Sequence, residues 1–234
     1  MTARAVSMSR FADELIAGPV RRGVAIGHGY VRFGDTVLAL TPPGAPRMPN
    51  GIETELALTV GERVVVGAGR LSVATGSIAA GPRWEARPSP RFMLTVHPIP
   101  RVEPEQLFGW GPGLTPVGDD VLVGYLAAFA LFAAPPPMCL AWESRTTALS
   151  QTLLELASLG ELPEPAHALL ETGDPRPLLR FGVTSGKGIA LGLAAATAEA
   201  APSPEGRFTF ELALPDGPHR FQLSVTDASV RVNY

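Results

Sequence analysis

Two patterns of apolar and polar positions divide the chain. From Gly23 to about Leu94, short apolar runs alternate with Gly, Pro and Asn. Val31-Arg-Phe33, Val37-Leu-Ala-Leu40, Arg63-Val-Val-Val66 and Leu71-Ser-Val73 have strand length, and turn residues bound them. Thr41-Pro-Pro-Gly-Ala-Pro46 is a loop, because proline has no N–H to give a ladder. Ahead of this region, Ser9 to Ala17 puts Phe11, Leu15 and Ile16 on one side of a short amphipathic helix.

After the proline-rich passage Pro98 to Pro104 the spacing becomes helical. Glu103 to Phe108 is a turn or two. Pro116 to Ala134 is a first long helix, and Ser144 to Leu159 a second, with Leu149, Leu153, Leu156 and Leu159 at helical spacing. Glu164 to Glu171 and Pro177 to Phe181 are short helices, and Gly186 to Ala200 is another buried one. The tail alternates again: Arg207 to Leu214, a turn at Asp216-Gly217, Phe221 to Val225 and Val230 to Tyr234 make an antiparallel meander. The predicted class is α+β. A β-rich, barrel-like subdomain spans 1–97, and a helical subdomain with the C-terminal strands spans 98–234.

Composition narrows the function classes. Of 234 residues, 46% are hydrophobic, enough for a packed core and against disorder. A net charge of -3 gives no basic footprint, so nucleic acid is not an expected partner. Val121 to Ala134, the longest apolar run, is shorter than the roughly 20 residues that span a bilayer, so no membrane partner is expected. Met1 to Gly18 has no apolar signal core. A single cysteine, Cys139, reads as a small buried hydrophobe and fits a cytoplasmic location.

The chemistry concentrates in Gly109 to Gly124. Four glycines and two prolines lead into Asp119 and Asp120, at the start of the apolar helix. Thr115-Pro116 reads as an N-cap and first helical residue. A carboxylate there complements the helix dipole, worth about 0.3–1 kcal/mol. Two in a row after so constrained a loop point further, to a small-molecule site. Adjacent helical side chains diverge by about 100°, so one aspartate faces the ligand and the other braces the loop. Asp120 is taken as the inward one. Gly111, Gly113 and Gly118 let backbone N–H groups approach an anion, with Leu114 and Thr115 between them. A second polar mouth, Thr184-Ser185-Gly186-Lys187, opens the last buried helix and suits carboxylate or phosphate capture; its plain reading is an N-cap. No Ser or Thr follows Lys187, so it is not a nucleotide-binding P-loop. Asn50 in Pro49-Asn-Gly51 is turn chemistry first and a binding candidate second. The four histidines form no metal pattern.

The two mouths echo each other. Gly118-Asp-Asp-Val-Leu-Val-Gly124 aligns with Gly186-Lys-Gly-Ile-Ala-Leu-Gly192. A mid-helix glycine costs about 1 kcal/mol against alanine, so Gly124 and Gly192 need a reason, and close helix–helix approach supplies one. The expectation is that these helices pack together with Asp119 and Asp120 facing Thr184, Ser185 and Lys187.

The run Gly-Pro-Gly-Leu-Thr-Pro-Val-Gly-Asp-Asp (111–120) resembles the signature of a bacterial family long labelled a domain of unknown function. Its described members are a subunit of oxamate carbamoyltransferase, from anaerobic allantoin degradation. Pro49-Asn-Gly-Ile52 and Gly182-Val-Thr-Ser-Gly186 resemble two further segments of that family, and the scattered likeness runs from Gly23 to Thr197. Lys187 and Gly188 stand where the family often has an acidic residue, and Val117 where it often has a small polar one. The resemblance implies a carbamoyltransferase subunit. It would work with other subunits of a hetero-oligomer on carbamoyl phosphate and a small carboxylate or amide such as oxamate or oxalurate, with Asp119 and Asp120 in catalytic roles. Two other readings stay open: a non-catalytic carboxylate-binding or scaffolding subunit, and a hydrolase of a small amide using Asp119, Asp120 and Mg²⁺. A two-carboxylate Mg²⁺ site would need substrate phosphate to complete it.

Overall fold

The computed structural model describes residues 2–27, 29–97, 103–132, 142, 144–196, 207–214 and 217–227. Cys139, Asp216, the expected strand at Val230 to Tyr234 and the expected helix ends at 133–134 and 197–200 lie outside the described residues. The chain divides into two compact units, Met1–Ala86 and Arg87–Tyr234.

The first unit is one nine-stranded sheet with a helix. Its elements are β1 (Thr2–Arg4), β2 (Ser7–Met8), α1 (Arg10–Ala17), β3 (Arg21–Gly27), β4 (Tyr30–Phe33), β5 (Thr36–Thr41), β6 (Gly51–Glu53), β7 (Arg63–Gly67), β8 (Arg70–Val73) and β9 (Gly76–Ala79). The strand order is β1-β9-β8-β7-β3-β4-β5-β6-β2. Pairing is antiparallel except for β1–β9 and β5–β6. The two outermost strands, β1 and β2, are separated in sequence by only Ala5 and Val6. The Ala5 N–H reaches the Ala79 carbonyl at 3.1 Å, and the next N–H, of Val6, reaches the Glu53 carbonyl at 2.9 Å. Neighbouring residues thus bond to opposite edges of the sheet, so the sheet has curled back on itself, as the barrel-like reading expects. Alternation fixes what lies inside. Val31 and Phe33 are buried while Arg32 is exposed, and Val64 and Val66 are buried around exposed Val65. With Met8, Leu38, Leu40, Ile52, Leu71 and Ile78 they form one apolar core, to which α1 adds Ala12 and Ile16. Ser9 caps α1, its hydroxyl accepting the Ala12 N–H.

The second unit is helical with a small sheet. Its elements are β10 (Phe92–His97), α2 (Pro104–Leu107), α3 (Val117–Leu131), α4 (Ala148–Ser158), α5 (Glu164–His167), α6 (Arg176–Leu179), α7 (Ser185–Ala196), β11 (Arg207–Leu214) and β12 (Gly217–Asp227). A π-turn, Ala168–Thr172, continues α5. The sheet order is β10-β12-β11, all antiparallel. Strand β10, which the expected boundary at Pro98 leaves in the first subdomain, pairs Phe92 with Asp227 in the second. Strands β11 and β12 pair as the expected hairpin, but Gly217, expected in its turn, opens β12 opposite Leu214. Arg87 ties two helix ends, donating to the carbonyls of Ala130 and Leu159 at 2.9 and 2.8 Å.

Helices α3 and α7 pack directly together, and glycines decide how. A Cβ on Gly124 would sit 2.1 Å from the Ile189 carbonyl oxygen, and one on Gly192 would sit 1.9 Å from that of Val121. Gly188 meets Val117 and Asp120 further toward the starts. The pairs advance together along both helices, so the helices run parallel and their N-termini lie side by side. The sequence echo is therefore spatial as well. Gly124 meets the residue three past Gly186, and Gly192 meets the residue three past Gly118. Even the leading glycines match: a Cβ on Gly118 would strike the Leu107 carbonyl of α2 at 2.1 Å, and one on Gly186 that of Leu178 in α6 at 1.7 Å. Each long helix thus starts against the end of a short one.

Candidate functional site

The loop ahead of α3 is clipped shut at its ends. The Gly118 N–H donates to the Trp110 carbonyl at 2.9 Å. The Gly109 N–H donates to Asp119 Oδ1 at 2.8 Å, and the Thr146 hydroxyl donates to Asp119 Oδ2. Asp119 is 1% exposed, so both its oxygens are spent on holding backbone and loop. Gly109 at φ +67° and Gly111 at φ +109° occupy the left-handed region that side chains avoid. Thr147 adds a third tie: its hydroxyl donates to the Leu114 carbonyl at 2.6 Å and accepts the Ser150 N–H that starts α4.

Asp120 points elsewhere. It is 2% exposed, and its Oδ2 has no hydrogen-bond partner among the described residues. Burial pushes its carboxyl up to about 8; a hydrogen bond from the Ser185 hydroxyl works against that, and the charge of Asp119 adds to it. A carboxyl so placed is largely neutral at pH 7. Ser185, in the first turn of α7, is also 3.3 Å from the Thr115 hydroxyl, oxygen to oxygen. Thr115 is therefore not the cap of α3. Pro116 holds that position with ψ 142°, and the helix begins at Val117. The helix echo explains why a carboxylate fits between two helices: Asp120 corresponds to Gly188, where a Cβ would come within 2.8 Å of the Asp120 Cβ. One helix supplies the side chain and the other supplies the space.

The other expected residues divide. Gly111, Gly113, Leu114, Thr115 and Gly118 form the clipped loop, and Ser185 and Gly186 stand beside it at the start of α7. Thr184 is exposed, and its carbonyl accepts the Gly188 N–H. Lys187 is half-buried and makes no ion pair among the described residues. Asn50 belongs to the first unit. Its buried side-chain amide donates to the Val37 carbonyl at 2.9 Å, and its backbone carbonyl accepts the Ala39 N–H. It thereby bridges the parallel strands β5 and β6. Thr146 and Thr147 are the supporting residues that sequence reasoning missed: they were expected inside a helix from Ser144, but α4 starts at Ala148 with Thr147 as its cap.

The arrangement does not suit a two-carboxylate metal site. Asp119 has given both oxygens to donors, and among the described residues no three His, Cys, Asp or Glu side chains gather to hold an ion. What it does suit is an anion or a polar carbonyl compound, met by two helix N-termini, two hydroxyls and one buried carboxyl.

Residues 107–197 match the family model of the oxamate carbamoyltransferase subunit AllH. The family resemblance is thus borne out over this stretch. The match begins at the end of α2 and stops one residue past α7, so it takes in the clipped loop, both aspartates and the Ser185 mouth. The first unit, with Pro49-Asn-Gly-Ile52, lies outside it. No curated protein and no solved structure matches the chain. Among the described residues no helix is long and apolar enough to cross a membrane.

Proposed function

We propose that this chain is a subunit of a carbamoyltransferase that holds a small carbamoyl or carboxylate compound where α3 and α7 start. The observation that carries the reading is Asp120: a buried carboxyl with one oxygen unpartnered among the described residues, against Ser185, between two parallel helix starts inside the matched span. Carbamoyl transfer to an amide such as oxamate forms a C–N bond as the amide nitrogen attacks the carbamoyl carbon. It breaks the carbon–oxygen bond to phosphate, and the nitrogen gives up a proton. Negative charge grows on the carbonyl oxygen and on the departing phosphate. The two helix starts and the loop N–H groups supply partial positive charge for both. Asp120 in its ionised form takes the amide proton, and a carboxyl titrating near 8 is a stronger base than an ordinary one. Asp119 holds the loop. Other subunits complete the enzyme.

The test is a thermal-shift screen of the purified chain with carbamoyl phosphate, oxamate, oxalurate and phosphate. A ligand at about 100 times its Kd adds about 2.7 kcal/mol, a shift on the order of 5–10 °C for a chain of this size. A shift with carbamoyl phosphate or oxamate that Asp120→Asn abolishes supports the reading. A shift that Asp120→Asn leaves intact removes Asp120 from the site. The full burial of Asp120 favours one second reading, a carboxylate-binding subunit without chemistry of its own. In that case ligand binding survives reconstitution with partner subunits, and Asp120→Asn leaves turnover unchanged.

A further inference from the structure

We infer that the outward face of β3, β4 and β7 is a docking surface for an acidic segment of another protein chain. The inference is independent of the helix starts and of the function proposed for them. The sheet register pairs Val24 with Arg32 on one side and with Arg63 on the other, so Arg32, Val24 and Arg63 form one row across three strands. Arg22 and Val65 pair in the next row. Ala25, Val31, Phe33, Val64 and Val66 are the buried, inward residues of these strands, which leaves the five outward. Strand spacing of about 4.8 Å sets Arg32 and Arg63 roughly 10 Å apart at their backbones.

This face interleaves cations with apolar groups. Val24 and Val65 are 39% and 38% exposed, where a water-facing strand position would ordinarily be polar. Arg22 and Arg63 have no ion-pair partner among the described residues. Arg32 donates to the Gly34 carbonyl and sits 3.5 Å from Asp35, an exposed and weakly held pair. The residues line an open groove of about 820 Å³. Its openness suits a length of chain lying along it better than an enclosed small molecule. Guanidinium forks take carboxylates in pairs, and the valines between them take apolar side chains, which together describe an acidic, partly apolar protein segment. A nucleic acid fits less well: the groove has no aromatic side chain to stack a base, and the chain carries a net charge of -3.

The experiment is a fluorescence-anisotropy titration of the full chain with a short labelled peptide of alternating glutamate and leucine. The same peptide with lysine for glutamate, and a labelled single-stranded oligonucleotide, run in parallel. The glutamate peptide is expected to bind and the lysine peptide not to. Arg22→Glu and Arg63→Glu are each expected to weaken binding about tenfold with unchanged circular dichroism, and raised salt to weaken it further. Arg63→Ala, a milder change on the same face, should give a smaller loss in the same direction. No binding of the glutamate peptide, equal binding by the arginine variants, or tighter binding of the oligonucleotide overturns the assignment.

Discussion

Two neighbouring aspartates, 1% and 2% exposed, receive opposite treatment from one helix turn. Asp119 accepts hydrogen bonds from Gly109 and Thr146, while Asp120, beside Ser185, keeps one oxygen without a partner among the described residues. The difference has a consequence for stability. The Asp120 carboxyl is raised from 3.8 to about 8 on folding, so between those values the folded state binds a proton that the unfolded state does not. The contribution is fully present below pH 4 and is lost as pH rises through 8, at about 1.4 kcal/mol for each pH unit of the window. Asp120→Asn, which cannot ionise, should therefore match the wild type near pH 4 and exceed it by several kcal/mol at pH 9 in chemical denaturation. Equal stability at pH 9 would mean that Asp120 is ionised cheaply, and its burial would need another explanation. The same reasoning orders two further variants. Ser185→Ala removes the bond that lowers the Asp120 carboxyl and moves its titration above 8, whereas Asp119→Asn removes a neighbouring charge and moves it below, as carboxyl NMR titration would show. At this scale the sequence was partly legible. The 100° divergence of adjacent helical residues foretold that the two side chains would meet different surroundings. The partners of Asp119 were hidden, because Thr146 comes from a loop 27 residues away. Thr115 was misread as a cap, because a Thr-Pro step looks the same whether its hydroxyl turns to its own helix or to Ser185.

Helices α3 and α7 touch through backbone, because glycine stands at each crossing point. Parallel helices align their dipoles unfavourably and bring two positive ends together, so a buried acidic group between those ends is better tolerated there than elsewhere. Replacing Gly192 or Gly124 with alanine inserts a methyl within about 2 Å of a carbonyl oxygen, where no flexible side chain can yield. Alanine's better helix propensity returns only about 1 kcal/mol. Each single change should destabilise the second unit by about 3 kcal/mol, at the upper end for overpacking, measured by denaturant titration. The double variant should cost less than the sum, since the first methyl already separates the helices at the seam the second would enter. Additive losses would show that the two contacts are independent, and the shared seam would be the wrong description. This packing was readable beforehand from the spacing Gly118, Gly124 and Gly186, Gly192, since a small-residue stripe needs a close neighbour. Strand β10 was not so readable. Its register with β12 pairs Phe92 with Asp227 across most of the chain, and a six-residue segment with four apolar positions carries no sign of a partner so distant.

The whole first unit depends on how a short segment meets both edges of its sheet. Residues 2–8 have no strong period, and nothing in them foretold that β1 would lie on β9 while β2 lies on β6. The strands between them were legible, because alternation around buried Val31, Phe33, Val64 and Val66 is local information; the closure is not local. Ser7 reinforces it, its hydroxyl donating to Glu53 Oε2 at 2.7 Å. Closure removes open strand edges, which otherwise invite pairing with other chains. Val6→Pro tests the point directly, because it deletes the N–H that reaches Glu53 while leaving the Ala5 bond to Ala79 in place. The loss of one backbone hydrogen bond should lower stability by about 0.5–1.5 kcal/mol. More telling is where protection from hydrogen exchange is lost. Amides at Ser7, Met8 and Gly51–Glu53 should exchange faster, while β3, β4 and β7, in the middle of the sheet, keep their protection. The opened edge should also make the variant self-associate with rising concentration, visible by light scattering. If β6 stays protected in Val6→Pro, the Val6 bond is dispensable and the remaining ties of this segment to β6, such as the Ser9 N–H on the Gly51 carbonyl, suffice to close the sheet.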